Sequence, residues 1–432
     1  MNFYSLNKKA PSVSFRDAVI KGIAPDKGLY FPEHITPLPD AFFENIETLS
    51  NIEIAFEAIR QFVSDEIPDV NLKEILEEVL DFDFPIVEIE ENVATLELFH
   101  GPTMAFKDVG ARFMAQCLGY FSGSTDNEIT VLVATSGDTG GAVANGFLGV
   151  DGVKVVILYP SGKVSDIQES QLTTLGQNIT ALQVDGTFDD CQKMVKNAFL
   201  DEDLLNSMQL TSANSINVAR WLPQLFYFLF AYKALKSTAK ELVFSVPSGN
   251  FGNICAGMVA KRLGMPVKHF IAATNINDTV PQFMQTGKYN PKPSAATISN
   301  AMDVGDPSNF IRIRHLHNDN LDDLNQNLSS YSFTDGQTKK AMVEIYKNSN
   351  YIADPHGAVG YLGLKLYQKT NTKAYGLFLE TAHPVKFLDV VEATIDTTLQ
   401  IPPQIQKVLG KEKKSIKINS YNELKSYLLD SI

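Results

Sequence analysis

The chain has 432 residues, of which 44% are hydrophobic and 20% charged. That length suits two or three folding units at roughly 150 residues each, and that apolar content excludes global disorder. Lys and Arg total 37 against 50 Asp and Glu, a net charge of −13 that disfavours non-specific binding to nucleic acid. Much of the charge is local. Asp65 to Glu91 holds eleven acids and one base, Lys73, so the remainder carries only −3 and can still build a cationic pocket. The acidic run itself reads as a solvated face.

Residues 1–95 read as a mostly helical lead-in. Leu72, Ile75, Leu76, Val79 and Leu80 follow the spacing of an amphipathic helix, with the acids pointing away. Met1 to Pro11 lacks the apolar core of a signal peptide, so no targeting segment is expected. Beyond residue 95, short apolar runs alternate with helical stretches. Ile129–Thr135, Val153–Tyr159, Ile179–Val184, Leu242–Val246, Val267–Ala273 and Tyr375–Leu379 are predicted buried strands. The pattern predicts an α/β fold of two lobes, with mainly parallel sheets flanked by helices. A polar break at 235–241 marks a soft boundary, dividing the chain into 1–95, 96–240 and 241–432. Asn275–Arg312 reads as long loops, and the lysine-bearing tail as a solvated element. The most apolar stretch, Trp221–Leu235, is interrupted by Pro223, Gln224 and Lys233 and fits a buried helix better than a membrane span. Cys117, Cys191 and Cys255 are far apart and odd in number. They indicate neither a disulfide framework nor a metal knuckle, and fit a reducing cytoplasm.

Three segments carry candidate chemistry. Strand 242–246 runs into Pro247-Ser248-Gly249-Asn250-Phe251-Gly252-Asn253 and then a helical stretch. Such a turn offers helix N-terminal N–H groups, and Ser or Asn side chains, to a phosphate. It matches neither a Walker loop nor a dinucleotide fingerprint, and a plain strand-to-helix turn has the same outline. Strand 129–135 leads into Ser136-Gly137-Asp138-Thr139-Gly140-Gly141, a second loop suited to a carboxylate or phosphate, in which Asp138 is an odd residue. Lys107 stands at a helix start, ordinarily a surface position. Held against apolar walls or another cation, it would instead have the lowered pKa of an amine nucleophile and base. His315 and His317 would share one face of a strand, but no third ligand accompanies them and no metal is expected. His356 and His383 read as structural hydrogen-bonding residues, and no nucleophile elbow supports a hydrolase.

These segments resemble the threonine synthases of bacterial and fungal type, a family of fold-type-II pyridoxal-phosphate enzymes similar to the tryptophan-synthase β chain. The resemblance also rests on Val13–Val19, Gly22–Tyr30, Tyr159–Ser165, Asn214–Arg220 and Glu380–Pro384, in the family's order. It implies that Lys107 carries pyridoxal phosphate. Gly249, Asn250, Phe251, Gly252 and Asn253 would hold the cofactor phosphate, and Thr381 would hydrogen-bond the pyridine nitrogen, tuning down the electron sink relative to a carboxylate. Ser136, Asp138 and Thr139 would face substrate or the cofactor O3′. Many wider relatives carry Asn at the position of Asp138, which leaves its role open. For the substrate phosphate the candidates are Arg220 and Lys163, with Ser161, Asn214 and Asn217 as donors, because Arg fits phosphate in bidentate fashion. The implied reaction is O-phospho-L-homoserine plus water to L-threonine plus phosphate, a γ-elimination followed by β-addition of water that ends threonine biosynthesis. A small-molecule substrate, no nucleic-acid or membrane partner, and a monomer or homodimer are expected. The alternatives are a related phospholyase yielding a 2-oxo acid, and a non-catalytic paralogue, which the intact Lys107 argues against.

Overall fold

In the computed structural model, residues 1–63, 66–123, 128–135, 137–238 and 241–430 are described. Each predicted apolar run forms a strand: β5 (Ile129–Ala134), β6 (Val153–Pro160), β7 (Ile179–Val184), β9 (Leu242–Pro247), β10 (His269–Thr274) and β12 (Tyr375–Glu380). Every residue of β5, β9, β10 and β12 is buried, because helices cover both faces of a parallel sheet. Seven strands carry no such run: β1 (Phe3–Ser5), β2 (Tyr30–Pro32), β3 (Ile86–Glu90), β4 (Val93–Glu97), β8 (Gln209–Ser212), β11 (Leu328–Ser332) and β13 (Ile416–Ile418). β3, β8, β11 and β13 are edge strands, where one side needs no apolar cover and the local signal fades.

Two sheets form the lobes. One has the order β11-β10-β9-β12-β4-β3 and the other β13-β7-β6-β5-β8; every pairing is parallel except β3 with β4. A small hairpin-like pair, β1 with β2, stands apart. The sheets do not divide the chain at 95 and 240. β3 and β4, from the lead-in side, join the sheet otherwise built from residues 242–380, and β13 returns from the C-terminus to pair with β7. The boundary segment includes residues 239 and 240, which lie outside the described residues.

Each sheet has one reversal of strand order, and the reversals set the site. β5 leads to β6 and β7 on one side, while β8 pairs on the other. β9 leads to β10 and β11 on one side, while β12 pairs on the other. Crevices open at the carboxyl ends of strands where the order reverses. The loops leaving β5, β8, β9 and β12 are those beginning at residues 135, 213, 248 and 381.

The lead-in packs on this framework. The helix Asp69–Val79 buries Leu72, Ile75, Leu76 and Val79 and exposes Lys73, Glu74, Glu77 and Glu78. The acidic run is more than a solvated face, however. Arg112 pairs with Asp81 at 2.5 Å and with Glu78 at 3.0 Å, clamping the lead-in to the helix Lys107–Ser122. Glu66 accepts the Arg16 N–H at 2.7 Å, and Glu90 pairs with Lys365 at 2.7 Å. Asp65 lies outside the described residues. The stretch 275–312, expected as loops, contains the helix Thr279–Thr286 and ends in another, Phe310–Leu316. His315 therefore sits on a helix, and His317, just beyond it, meets Asp323 at 2.7 Å. The Trp221–Leu235 stretch ends in the buried helix Leu225–Leu235. Among the described residues no helix is long and apolar enough to cross a membrane.

Candidate active site

Lys107 opens the helix Lys107–Ser122, and the chain before it is held by the segment after β12. Phe106 donates its N–H to the Thr381 carbonyl at 2.8 Å, Ala105 bridges Ala382, and His383 donates to the Met104 carbonyl at 3.0 Å. Two motifs 274 positions apart are thus sewn together by backbone. Beneath them, Asp108 accepts from the Thr103 N–H at 2.9 Å and from its hydroxyl, fixing the turn before the helix. Gly110 lets the helix pass the Arg220 backbone, since a Cβ there would lie 2.2 Å from the Arg220 carbonyl oxygen.

The Lys107 amine donates to Thr139 Oγ1 at 2.8 Å. Lys107 is half-buried, and the dense protein around its amine lowers its pKa from 10.5 to about 8. Asp138 opposes that lowering, and Arg220 and Lys386 add to it. Asp138 is buried; burial penalises its charge, but Lys386 and Lys107 outweigh the penalty and hold it at about 2. Its Oδ1 meets Lys386 Nζ at 2.8 Å and accepts from Gln168 Nε2 at 3.1 Å. Arg220 is buried too. It donates to the Ala213 carbonyl, its Nε has no partner among the described residues, and burial lowers its pKa to about 10. Asp138, Arg220 and Lys386 therefore all face the Lys107 amine.

The loop before Asp138 is organised by Thr135, whose hydroxyl oxygen accepts from Gly137 at 3.0 Å and Gly140 at 2.8 Å. Gly137 adopts φ 146°, and a Cβ there would strike Gln168 Nε2 at 2.4 Å, so only glycine lets Gln168 reach Asp138. Ser136 lies outside the described residues.

After β9, side chains shape the turn and backbone faces outward. Asn253 donates to the Pro247 carbonyl at 2.9 Å, Asn250 donates to Ser215 Oγ at 2.7 Å and accepts from Ser308 N–H at 2.6 Å, and Ser248 donates to the Val246 carbonyl at 2.9 Å. Phe251 sits at φ 61°, in the left-handed region, and starts the helix Gly252–Arg262. Among the described residues, none accepts a bond from the N–H of Gly249, Asn250, Phe251, Gly252 or Asn253. The Ser and Asn side chains, expected as phosphate donors, are thus spent on loop shape. A Cβ on Gly249 would lie 2.8 Å from Met302 Cα and 2.9 Å from the Ala301 carbonyl oxygen. Gly249→Ala must push back rigid backbone, so a stability loss of about 1–3 kcal/mol is expected, read as a lower midpoint of denaturation.

The other candidates separate. Asn217 is fully buried and caps the helix Val218–Trp221; its Nδ2 donates to the carbonyls of Val19 at 2.8 Å and Ser212 at 3.2 Å, and its Oδ1 accepts from Ala219 at 3.0 Å. Its polar atoms hold the loop that carries Arg220. Asn214 is half-buried at the start of that loop. Lys163 is exposed in the turn after β6, forms no ion pair among the described residues, and does not join the group around Lys107. Thr381 is buried, directly beyond β12. His356 receives the Ala301 N–H at 3.3 Å and meets Asp354 at 3.0 Å; Asp354 also accepts from Ala382 at 3.1 Å. These contacts tie the segment after Thr381 to the loop behind Gly249, the structural role expected of His356.

Lys386, Gln168 and Asp354 were not singled out in the sequence. Lys386 was the one that could have been found, as a lone lysine in the apolar Pro384–Phe387 turn. Its partner, Asp138, is 248 positions away.

Comparison with known proteins agrees with this geometry. Family models match residues 2–80 (threonine synthase N terminus), 88–376 (pyridoxal-phosphate dependent enzyme) and 357–428 (threonine synthase, C-terminal). Threonine synthase of Escherichia coli K12 is 45% identical over 406 residues, covering 94% of each chain. The crystal structure of the Escherichia coli enzyme superposes with a TM-score of 0.93, at 43% identity over 100% of both chains. That of pyridoxal-phosphate-bound threonine synthase from Brucella melitensis gives 0.93 at 32% identity, over 100% of this chain and 99% of that one. With the family matched from residue 2 to residue 428 and the fold shared throughout, the chain belongs to the pyridoxal-phosphate-dependent threonine synthases.

Proposed function

We propose that the chain forms L-threonine and phosphate from O-phospho-L-homoserine and water, with Lys107 as the catalytic amine. The observation that carries this reading is the enclosed Lys107 amine, held by Thr139 and flanked by Asp138, Arg220 and Lys386. The surrounding residues fit pyridoxal phosphate. The N–H groups of Gly249 to Asn253, unpartnered among the described residues, lead into the helix Gly252–Arg262 and suit its phosphate, helped by the helix dipole. Gly249 keeps that cradle free of a side chain, and Lys107 is the amine for its aldehyde. Bound there, the cofactor supplies the electron sink for carbanion chemistry.

The chain's own residues do the rest. Lys107 holds and moves protons at Cα, Cβ and Cγ of the substrate. An amine whose pKa lies near 8 is close to working pH in both protonation states, which favours a base that must also return protons. Thr139 aims that amine. Thr381, buried directly beyond β12, would hold the cofactor's ring nitrogen by a hydrogen bond. Arg220, with an Nε left unpartnered among the described residues, binds the substrate phosphate, and Asn217 positions it. Asp138 and Thr139 face the substrate. The burial of Asp138, Arg220 and Thr381 limits the water around the reacting groups. We place the enzyme in the cytoplasm, acting on a small molecule as a monomer or homodimer; its three cysteines are free and buried, which suits a reducing compartment.

The test is to supply O-phospho-L-homoserine to the holoenzyme and assay both products. Equal amounts of threonine and phosphate are expected. Phosphate with 2-oxobutanoate would move the reading to a phospholyase, and no phosphate would end it.

A further inference from the structure

A carboxylate inside a loop meant for anions is a physical contradiction. Asp138 opens the helix Asp138–Gly146, whose first N–H groups and dipole favour negative ligands, yet it brings a negative charge of its own. It is 7% exposed, so water screens little of that charge. The structure supplies the compensation from behind. Lys386, on the turn after β12, has a side chain 0% exposed and places Nζ 2.8 Å from Asp138 Oδ1. Its remaining bond goes to the Thr103 carbonyl at 2.9 Å, so the amine is held from the side of the Lys107 turn. Gln168 donates to the same Asp138 oxygen at 3.1 Å, across a passage that only Gly137 leaves open. A buried lysine in such a position bears directly on the anions this pocket takes.

We infer that Lys386 is a positioning residue that cancels the charge of Asp138 and fixes its carboxylate, so that the β5 loop can stand beside an anionic substrate. This rests on the reading that the pocket takes a phosphorylated amino acid. The charged groups facing the Lys107 amine come from three other elements: Asp138 from the β5 loop, Arg220 from the loop after β8, and Lys386 from the turn after β12. Asp108, buried next to Lys107, faces Arg220 and Lys386 from the far side. With Lys386 in place, the ion pair contributes no net charge and the excess is cationic. Without it, an unpaired buried carboxylate would oppose substrate phosphate and carboxylate alike.

The role makes the two partners act in opposite directions on anion affinity, which a purely structural role would not. The experiment titrates inorganic phosphate into holoenzyme by calorimetry, for wild type, Lys386→Met, Asp138→Asn and the double variant. Lys386→Met should weaken phosphate binding about tenfold or more, and Asp138→Asn should tighten it several-fold. The double variant should return to within about threefold of wild type. The Michaelis constant for O-phospho-L-homoserine should follow the same order. Both single variants moving in one direction, or a double variant no better than Lys386→Met, would overturn the inference. If Lys386→Met does not fold, Asp138→Asn decides alone: tighter phosphate binding supports the role and unchanged or weaker binding refutes it. Failure of the functional reading is distinguishable, because then wild type itself would form no threonine.

Discussion

Lys107→Ala is expected to lower the rate of threonine and phosphate formation by at least about 10³-fold. On the proposed reading it removes both the amine that carries the cofactor and the base that moves protons between substrate carbons, and positioned proton transfer alone is worth about 10²–10⁴-fold. The loss should appear in kcat rather than only in KM, because the amine acts in the transition states and not in ground-state binding. Activity within tenfold of wild type would remove Lys107 from the chemistry. A second measurement separates inactivity from misfolding. The native amine has a pKa of about 8 against an ordinary 10.5, so between those values the unfolded chain binds more protons than the folded one. The stability of the cofactor-free protein should therefore rise as pH goes from about 8 toward 10.5. Lys107→Ala should lack that particular rise while unfolding cooperatively.

Arg220→Ala is expected to raise KM for O-phospho-L-homoserine by about 10–100-fold, the range of one lost charge-assisted hydrogen bond of about 1.5–3 kcal/mol. Arg220 can bear this role because the protein leaves it incompletely satisfied. One donor goes to the Ala213 carbonyl, while Nε is buried without a partner among the described residues. Asn217, whose polar atoms all serve the backbone, and Lys163, exposed in its turn, do not stand in that condition. Arg220→Lys should recover only part of the loss, since an ammonium cannot make the planar two-point contact of a guanidinium. The check is steady-state kinetics over a wide substrate range. An unchanged KM would show that the phosphate is held elsewhere.

The parts of this protein legible in its sequence are those whose physics is local. Parallel strands covered by helices on both faces must be largely apolar, so β5, β6, β7, β9, β10 and β12 stood out as short apolar-rich runs. The helix Asp69–Val79 showed itself through its spacing. Gly137 and Gly249, in strand-to-helix turns, marked where backbone comes close to something else. Edge strands gave no such mark. β8 and β13 need cover on fewer sides, so Gln209–Ser212 and Ile416–Ile418 look like ordinary connecting chain.

The site depended on more. By spacing alone Lys107 was an ordinary lysine at a helix start, and the resemblance to a known family was what gave it a role. Its physical reason lies in partners far along the chain: the Thr381 segment that pairs with its backbone, and Arg220 and Lys386, which surround its amine. The acidic window is largely solvated, as its composition suggests, but its pairing with Arg112 of the Lys107 helix through Glu78 and Asp81 is not visible along the chain. Composition and periodicity determined the α/β class, the strands of the sheet interiors and the glycine-bearing strand-to-helix turns, because burial on both faces and tight turns constrain residue type in place. The tertiary structure alone decided which charges meet, that Asp138 is paired with Lys386, and that Arg220 remains open where Asn217 is satisfied. Electrostatic interaction between buried groups depends on distance in space and on the exclusion of water, and neither quantity is written in separation along the chain.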